Sequence, residues 1–167
     1  MFVRFFYYVF NLSLGEIMLI NIVIIFCLLL TSFYASAEES LITLESQYSA
    51  KETADRFESI IKGKGLTLFS RIDHKKNALG VNLKLSATEV IIFGNPKIGT
   101  LLMQCAQNVA IDLPQKVLIT EDAEKRVWLS YNNPAYIKVR HNIEGCDHVI
   151  NKISAVLSKL SIAATSK

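Results

Sequence analysis

The string Gly94-Asn95-Pro96-Lys97-Ile98-Gly99-Thr100 follows the apolar run Val90 to Phe93. An asparagine directly before a proline opens a helix. The amide side chain accepts from a first-turn N–H, and proline sits at the first helical position without loss. Open amides of such a turn carry partial positive charge and can dock an anion or a carboxylate. Lys97 adds a charge there and Thr100 a hydroxyl. The string is not a phosphate loop of the G-x-x-x-x-G-K-[ST] kind. The plainer reading is that Asn95 caps, Pro96 starts the helix and Gly99 permits close packing.

Asp73-His74 ends a second β-prone segment. His74 can serve as acid, base, metal ligand or hydrogen-bond donor near neutral pH. With Asp73 or Asp112 it would make an acid–base pair. No serine or cysteine at nucleophile-elbow spacing accompanies it, and the plain alternative is a surface or structural histidine. Tyr131 closes the aromatic string Trp128-Leu129-Ser130-Tyr131. It is read either as the wall of a polar pocket with His74 and Asn95, or as ordinary packing of a half-buried strand.

His141, Cys146 and His148 are spaced H-x4-C-x-H. Soft ligands of this kind suit copper or zinc, but a closed site needs a fourth. Cys105 and Cys146 can pair in an oxidising compartment, or Cys105 can be a buried free thiol on an apolar helix face. There is no C-x-x-C to support thiol exchange.

The elements that must position these groups follow from periodicity. Leu41 to Leu44 reads as a strand. Ser49-Ala50-Lys51-Glu52 is a capping box, and Ala50, Ala54, Phe57, Ile60 and Ile61 recur at helical spacing until Gly63 and Gly65 stop the helix. Leu66 to Ile72 alternates as a strand. Asp73 to Leu85 reads either as a turn of helix or, from Val81, Leu83 and Leu85, as a short strand. Thr88 to Phe93 reads as a central strand buried on both faces. Ile98, Leu101, Leu102, Cys105 and Val109 give the next helix an apolar face. Val117–Thr120 and Val127–Tyr131 form a hairpin around Glu121 to Lys125. Asn133-Pro134 opens another helix that runs to about His141. Asp147 caps a last one, with Val149, Ile150, Ile153, Val156, Leu157 and Leu160 as its stripe. The sum is one α+β domain, a mixed β-sheet of about five strands with helices packed on it.

The chain has 167 residues, a net charge of +3, 51% hydrophobic and 20% charged residues, and three cysteines. That excludes a disordered chain, a disulfide-built scaffold and a strongly basic nucleic-acid binder. Only Arg4 and Glu16 are charged before residue 38. Ile17 to Leu30 is apolar apart from Asn21, short for a spanning helix, and Ala35-Ser36-Ala37 is an A-x-A cleavage pattern. Residues 1–37 therefore read as a signal peptide cut after Ala37, which makes the protein periplasmic or secreted. The alternatives are a retained membrane anchor and a true start at Met18. Cys27 follows Phe26, which speaks against a lipid-acceptor site.

The middle of the chain resembles the DUF302 family. The resemblance rests on Arg71-Ile72-Asp73-His74, on Ile91-Ile92-Phe93-Gly94-Asn95-Pro96-Lys97-Ile98-Gly99-Thr100, on Ile111-Asp112-Leu113-Pro114 and on Trp128-Leu129-Ser130-Tyr131-Asn132-Asn133-Pro134. It implies a small α+β domain over 38–142, a homodimer in some members, and no enzymatic activity to carry over. Residues 143–167 then read as a helical extension packing on that domain. The expectation is an exported protein that binds a small molecule, lipid or partner protein at a polar pocket built from His74, Asn95, Lys97, Thr100 and Tyr131. Its rivals are a ligand-free dimeric assembly module and an enzyme using His74. No cofactor is identified, and no nucleic acid is expected.

Overall fold

The computed structural model describes residues 39–167, together with positions 15, 18, 19 and 21 of the segment before them. The expected export signal lies outside the described residues. Contacts divide the chain into units 1–37 and 38–167, and the second carries everything that follows.

The element order is β1 (Leu41–Ser46), α1 (Ala50–Gly63), β2 (Thr67–Asp73), α2 (His74–Gly80), β3 (Thr88–Gly94) and α3 (Pro96–Cys105). A 3-10 turn (Gln107–Asp112), β4 (Gln115–Glu121), β5 (Val127–Asn132), α4 (Pro134–Arg140) and α5 (Asp147–Thr165) complete it. The five strands form one sheet in the order β1-β5-β4-β3-β2. Every pairing is antiparallel, so the α+β class holds while the expected mixed sheet is antiparallel throughout. β1 and β2 run in the same direction at opposite edges and are joined by α1, which crosses the sheet, but they are not neighbours, so no ladder is parallel.

One face of the sheet is the core. Register aligns Ile42, Tyr131, Val117 and Ile91 across four strands, and Leu44, Leu129 and Ile119 beside them. Over this face lie α1, through Ala54, Phe57 and Ile61, and α5, through Val149, Ile153, Leu157 and Ala164. Phe57 meets Phe93 edge-on, with ring centres 5.0 Å apart. At the β2 edge the same face turns polar. Arg71 bonds Glu89 of β3 and, from α1, Asp55 and Glu58. The opposite face carries half-buried Ile72, Val90, Leu118 and Trp128. β3 is thus buried on one face and lies next to the edge strand, and β4 is central, which corrects the reading of Thr88–Phe93.

Local signals act as their chemistry dictates. Ser49 Oγ accepts from the Glu52 N–H. Gly65, with φ +69°, closes α1 while Leu66 N–H reaches Ile61 C=O, a Schellman stop. Asn95 and Asn133 cap helices that begin at Pro96 and Pro134. Cys146, not Asp147, occupies the cap of α5 and gives it no side-chain bond. Val81, Leu83 and Leu85 form no strand; they lie in exposed coil after α2.

The two ends of the domain are joined. Gln47 N–H donates to Thr165 C=O at 2.9 Å. The Arg56 guanidinium stacks 4.0 Å from the Tyr48 ring centre and donates to the carbonyls of Ala163, Ala164 and Ser166 at the end of α5. A cation on those last carbonyls also offsets the negative end of the helix dipole.

Candidate functional site

A cavity of about 510 Å³ lies where the end of β3, the start of α3, the strand-entry loop before β4 and the flank of α5 meet. Its walls are mostly carbon. Phe93, Ile98, Met103, Leu113, Ile153 and Leu157 supply most of them. Polar groups are few: Asn95, Thr100, Gln115 and Lys152. That balance, an apolar hollow with a few convergent polar groups, is the usual constitution of a small-molecule site.

Each wall has a local cause. β3 ends at Gly94 and turns through Asn95, which points α3 along one side. Gly94 and Gly99 leave space: a Cβ on Gly94 would lie 3.7 Å from Pro114 Cβ, and one on Gly99 would meet only Leu113 Cδ1 at 3.9 Å. β2 carries an irregularity between Leu68 and Ser70, and such a bulge re-aims a side chain. The bulged residue, Phe69, stands half-exposed at the rim. On α5 the core stripe Ile153–Leu157 faces the cavity floor, and its flank presents Lys152 and Val156, one turn apart. A disulfide joins Cys105 at the end of α3 to Cys146 at the start of α5, with Cα atoms 6.5 Å apart, inside the range such bridges span. It ties together two helices that form the cavity. Cys105 is exposed rather than on a buried apolar face, as is Leu101; Leu102 and Val109 carry the packing of that segment.

Of the residues singled out in the sequence, Asn95 and Thr100 line the cavity. Asn95 Oδ1 is already engaged by the Lys97 N–H at 3.0 Å, its carbonyl takes the Gly99 N–H, and Pro96 has no N–H to offer. The first turn of α3 therefore has little donor capacity left for an anion. Lys97 is exposed and does not line the hollow. His74 is elsewhere: Asp73 pairs with Glu89, whereas Gly94 pairs with Thr67 at the other end of β2. Antiparallel pairing separates two strand ends that a parallel arrangement would have put side by side. Asp73 spends its carboxylate capping α2, accepting the Lys76 N–H at 2.8 Å. Tyr131 is 3% exposed, sits in the core between Ile42 and Val117, and does not line this cavity. Burial pushes its phenol above the ordinary value.

Asp112 meets a different histidine. His141 Nε2 lies within hydrogen-bond distance of Asp112 Oδ2, and Lys116 Nζ donates to the Asp112 and Pro114 carbonyls. This cluster pins the loop that enters β4. With His141 held there and Cys146 bridged, H-x4-C-x-H does not gather as a metal site. Among the described residues no group of three or more His, Cys, Asp or Glu does.

Lys152, Gln115 and Phe69 escaped sequence reasoning. Lys152 lies one turn before Val156, a residue of the periodic stripe that is 38% exposed at its flank, and Phe69 is an apolar residue on the otherwise polar face of its strand. Both signals are visible in the sequence, but only with the partner elements in place do they mean a cavity.

A family model described as a domain of unknown function, DUF302, matches residues 42–160; the match runs into the last helix. A protein named fluoride-specific ion channel FluC 1 from Brucella suis biovar 1 (strain 1330) is 42% identical over 106 residues, 64% of this chain and 42% of that protein. The like-named protein of Brucella abortus biovar 1 (strain 9-941) is 42% identical over the same length, 39% of its own. The chain thus spans about two-fifths of the curated relatives it matches. The crystal structure of an uncharacterized conserved DUF302 protein from Bacillus stearothermophilus superposes with a TM-score of 0.69 at 14% identity, covering 76% of this chain and 99% of that one. That likeness is one of fold.

Proposed function

This chain belongs to the DUF302 family, and we propose that it is an exported domain that binds an apolar small molecule between α3 and α5. The observation that carries the reading is the cavity itself. About 510 Å³ of space walled by side chains such as Phe93, Ile98, Met103 and Leu157 is a volume typical of ligand sites. The Cys105–Cys146 bridge supports export, because such bonds persist in oxidising compartments. The fluoride-channel name describes proteins of which about two-fifths is matched here. Transport of a small hydrated anion calls for polar donors where this hollow offers carbon, and no helix among the described residues is long and apolar enough to cross a membrane.

The test is mass spectrometry of natively purified protein together with an environment-sensitive apolar dye. The expected result is a co-purifying apolar compound and dye emission that Gly99→Trp, which fills the hollow, removes while circular dichroism stays native. Thr100→Trp at the rim is the second variant. Unchanged dye binding in both folded variants overturns the reading.

A second reading, a homodimer, is favoured by one observation. Leu79, Val81, Leu83 and Leu85 lie close in sequence and are 44–64% exposed, an apolar strip of the sort that marks association surfaces. Light scattering at several concentrations decides it. Leu83→Asp is expected to leave a monomer; a wild type that is monomeric throughout removes this reading.

A further inference from the structure

We infer that the ligand is a single-chain fatty acid whose carboxylate is met by Lys152 of α5. The inference rests on the apolar-ligand reading above and adds the chemical class. The walls demand hydrocarbon. Among the described residues the charged group lining the cavity is cationic, and no Asp or Glu lines it. Among the described residues Lys152 has no ion-pair partner. Its stem runs from the flank that also carries Val156, so the methylenes can cover apolar surface while the ammonium stays at the rim. Thr100 and Gln115 add hydroxyl and amide donors on the same hollow.

Charge count narrows the head group. One ammonium complements a monoanion. A phosphate dianion is better served by several cations or by a bidentate guanidinium, and among the described residues no arginine lines the cavity. Volume narrows the tail. About 510 Å³ accommodates one chain, not the two chains and glycerol of a membrane phospholipid.

The experiment titrates delipidated full chain with palmitate and with hexadecanol, which has the same chain without the charge. Wild type is expected to take palmitate about tenfold more tightly, the size of one charge-assisted contact. Lys152→Met should bring the two ligands level without weakening hexadecanol, and Lys152→Arg should restore the preference. If wild type shows no preference, or Lys152→Met leaves it intact, the carboxylate assignment is overturned while the apolar site stands. If neither ligand binds while the apolar dye still does, the fatty-acid assignment is overturned and the apolar site stands; if Gly99→Trp and Thr100→Trp both take the dye as wild type does, the apolar-ligand reading itself fails. Tighter, Lys152-dependent binding to phosphatidylglycerol vesicles than to free palmitate would move the anion to a membrane headgroup and also overturn the proposal.

Discussion

His74 and Asn95 stand at opposite ends of the β2–β3 pair. The residue before His74, Asp73, faces Glu89, and the residue before Asn95, Gly94, faces Thr67. A seven-residue strand lies between them, on the order of 20 Å at the usual rise. His74 is exposed beside the capping Asp73 and is not among the residues that line the cavity.

His74→Ala is therefore expected to be silent. Its effect on stability should stay within about 0.5 kcal/mol, as for other exposed positions, and palmitate titration should be unaltered. Chemical denaturation and the binding assay check both, and a clear loss of binding would return the histidine to the site.

Gly99→Ala separates helix propensity from cavity space. The new methyl would have one neighbour, at 3.9 Å, and alanine favours a helix interior by about 1 kcal/mol over glycine. A rise in the denaturation midpoint with ligand still bound is the expected outcome, in contrast to the occluding Gly99→Trp.

Breaking the bridge between positions 105 and 146 should cost stability and loosen the site together. The enclosed stretch has a sequence separation of 41, for which the chain-entropy relation gives about 4 kcal/mol. The double variant Cys105→Ser/Cys146→Ser should melt earlier than the oxidised protein and match it after reduction. It should also lose ligand affinity, since α3 and α5 are no longer tied; unchanged affinity would show that packing alone sets the cavity.

The Arg71 cluster predicts acid sensitivity. Lys51, then Arg71, holds the Asp55 carboxyl below its ordinary value; Lys62, then Arg71, does so for Glu58. The carboxylate of Glu89 is the first cause that raises the Arg71 guanidinium further above its own. Carboxyls with depressed values bind protons more readily when unfolded. Their contribution is present above their ordinary values of 3.8 and 4.5 and fades as pH falls through the lower folded ones. Arg71→Gln should flatten that acid-side decline without abolishing it, because the lysines remain. At neutral pH it should cost about 1–2 kcal/mol, less than for a fully buried pair because solvent reaches the cluster. Urea titrations at pH 3 to 7 measure both.

Much of the fold was legible in the residues. Ser49, Asn95-Pro96 and Asn133-Pro134 are local instructions, each satisfied by its own backbone, so the helices they open begin where expected. Strand pairing is not local. Whether β2 meets β3 head to tail decides whether His74 and Gly94 are neighbours, and alternation alone carries no such information. The same holds for Tyr131, whose aromatic ring suits a pocket wall and a core equally until its neighbours Ile42 and Val117 are known. The cavity was half legible: Asn95 and Thr100 were found from a helix start, whereas Lys152 arrives from a helix more than 50 positions later in the chain.

The clasp between Gln47 or Arg56 and the carbonyls of residues 163–166 makes closure of this unit a long-range event. Groups more than 100 positions apart share these hydrogen bonds, so fraying of the last turn of α5 is felt at the start of α1, where the packing of the core begins.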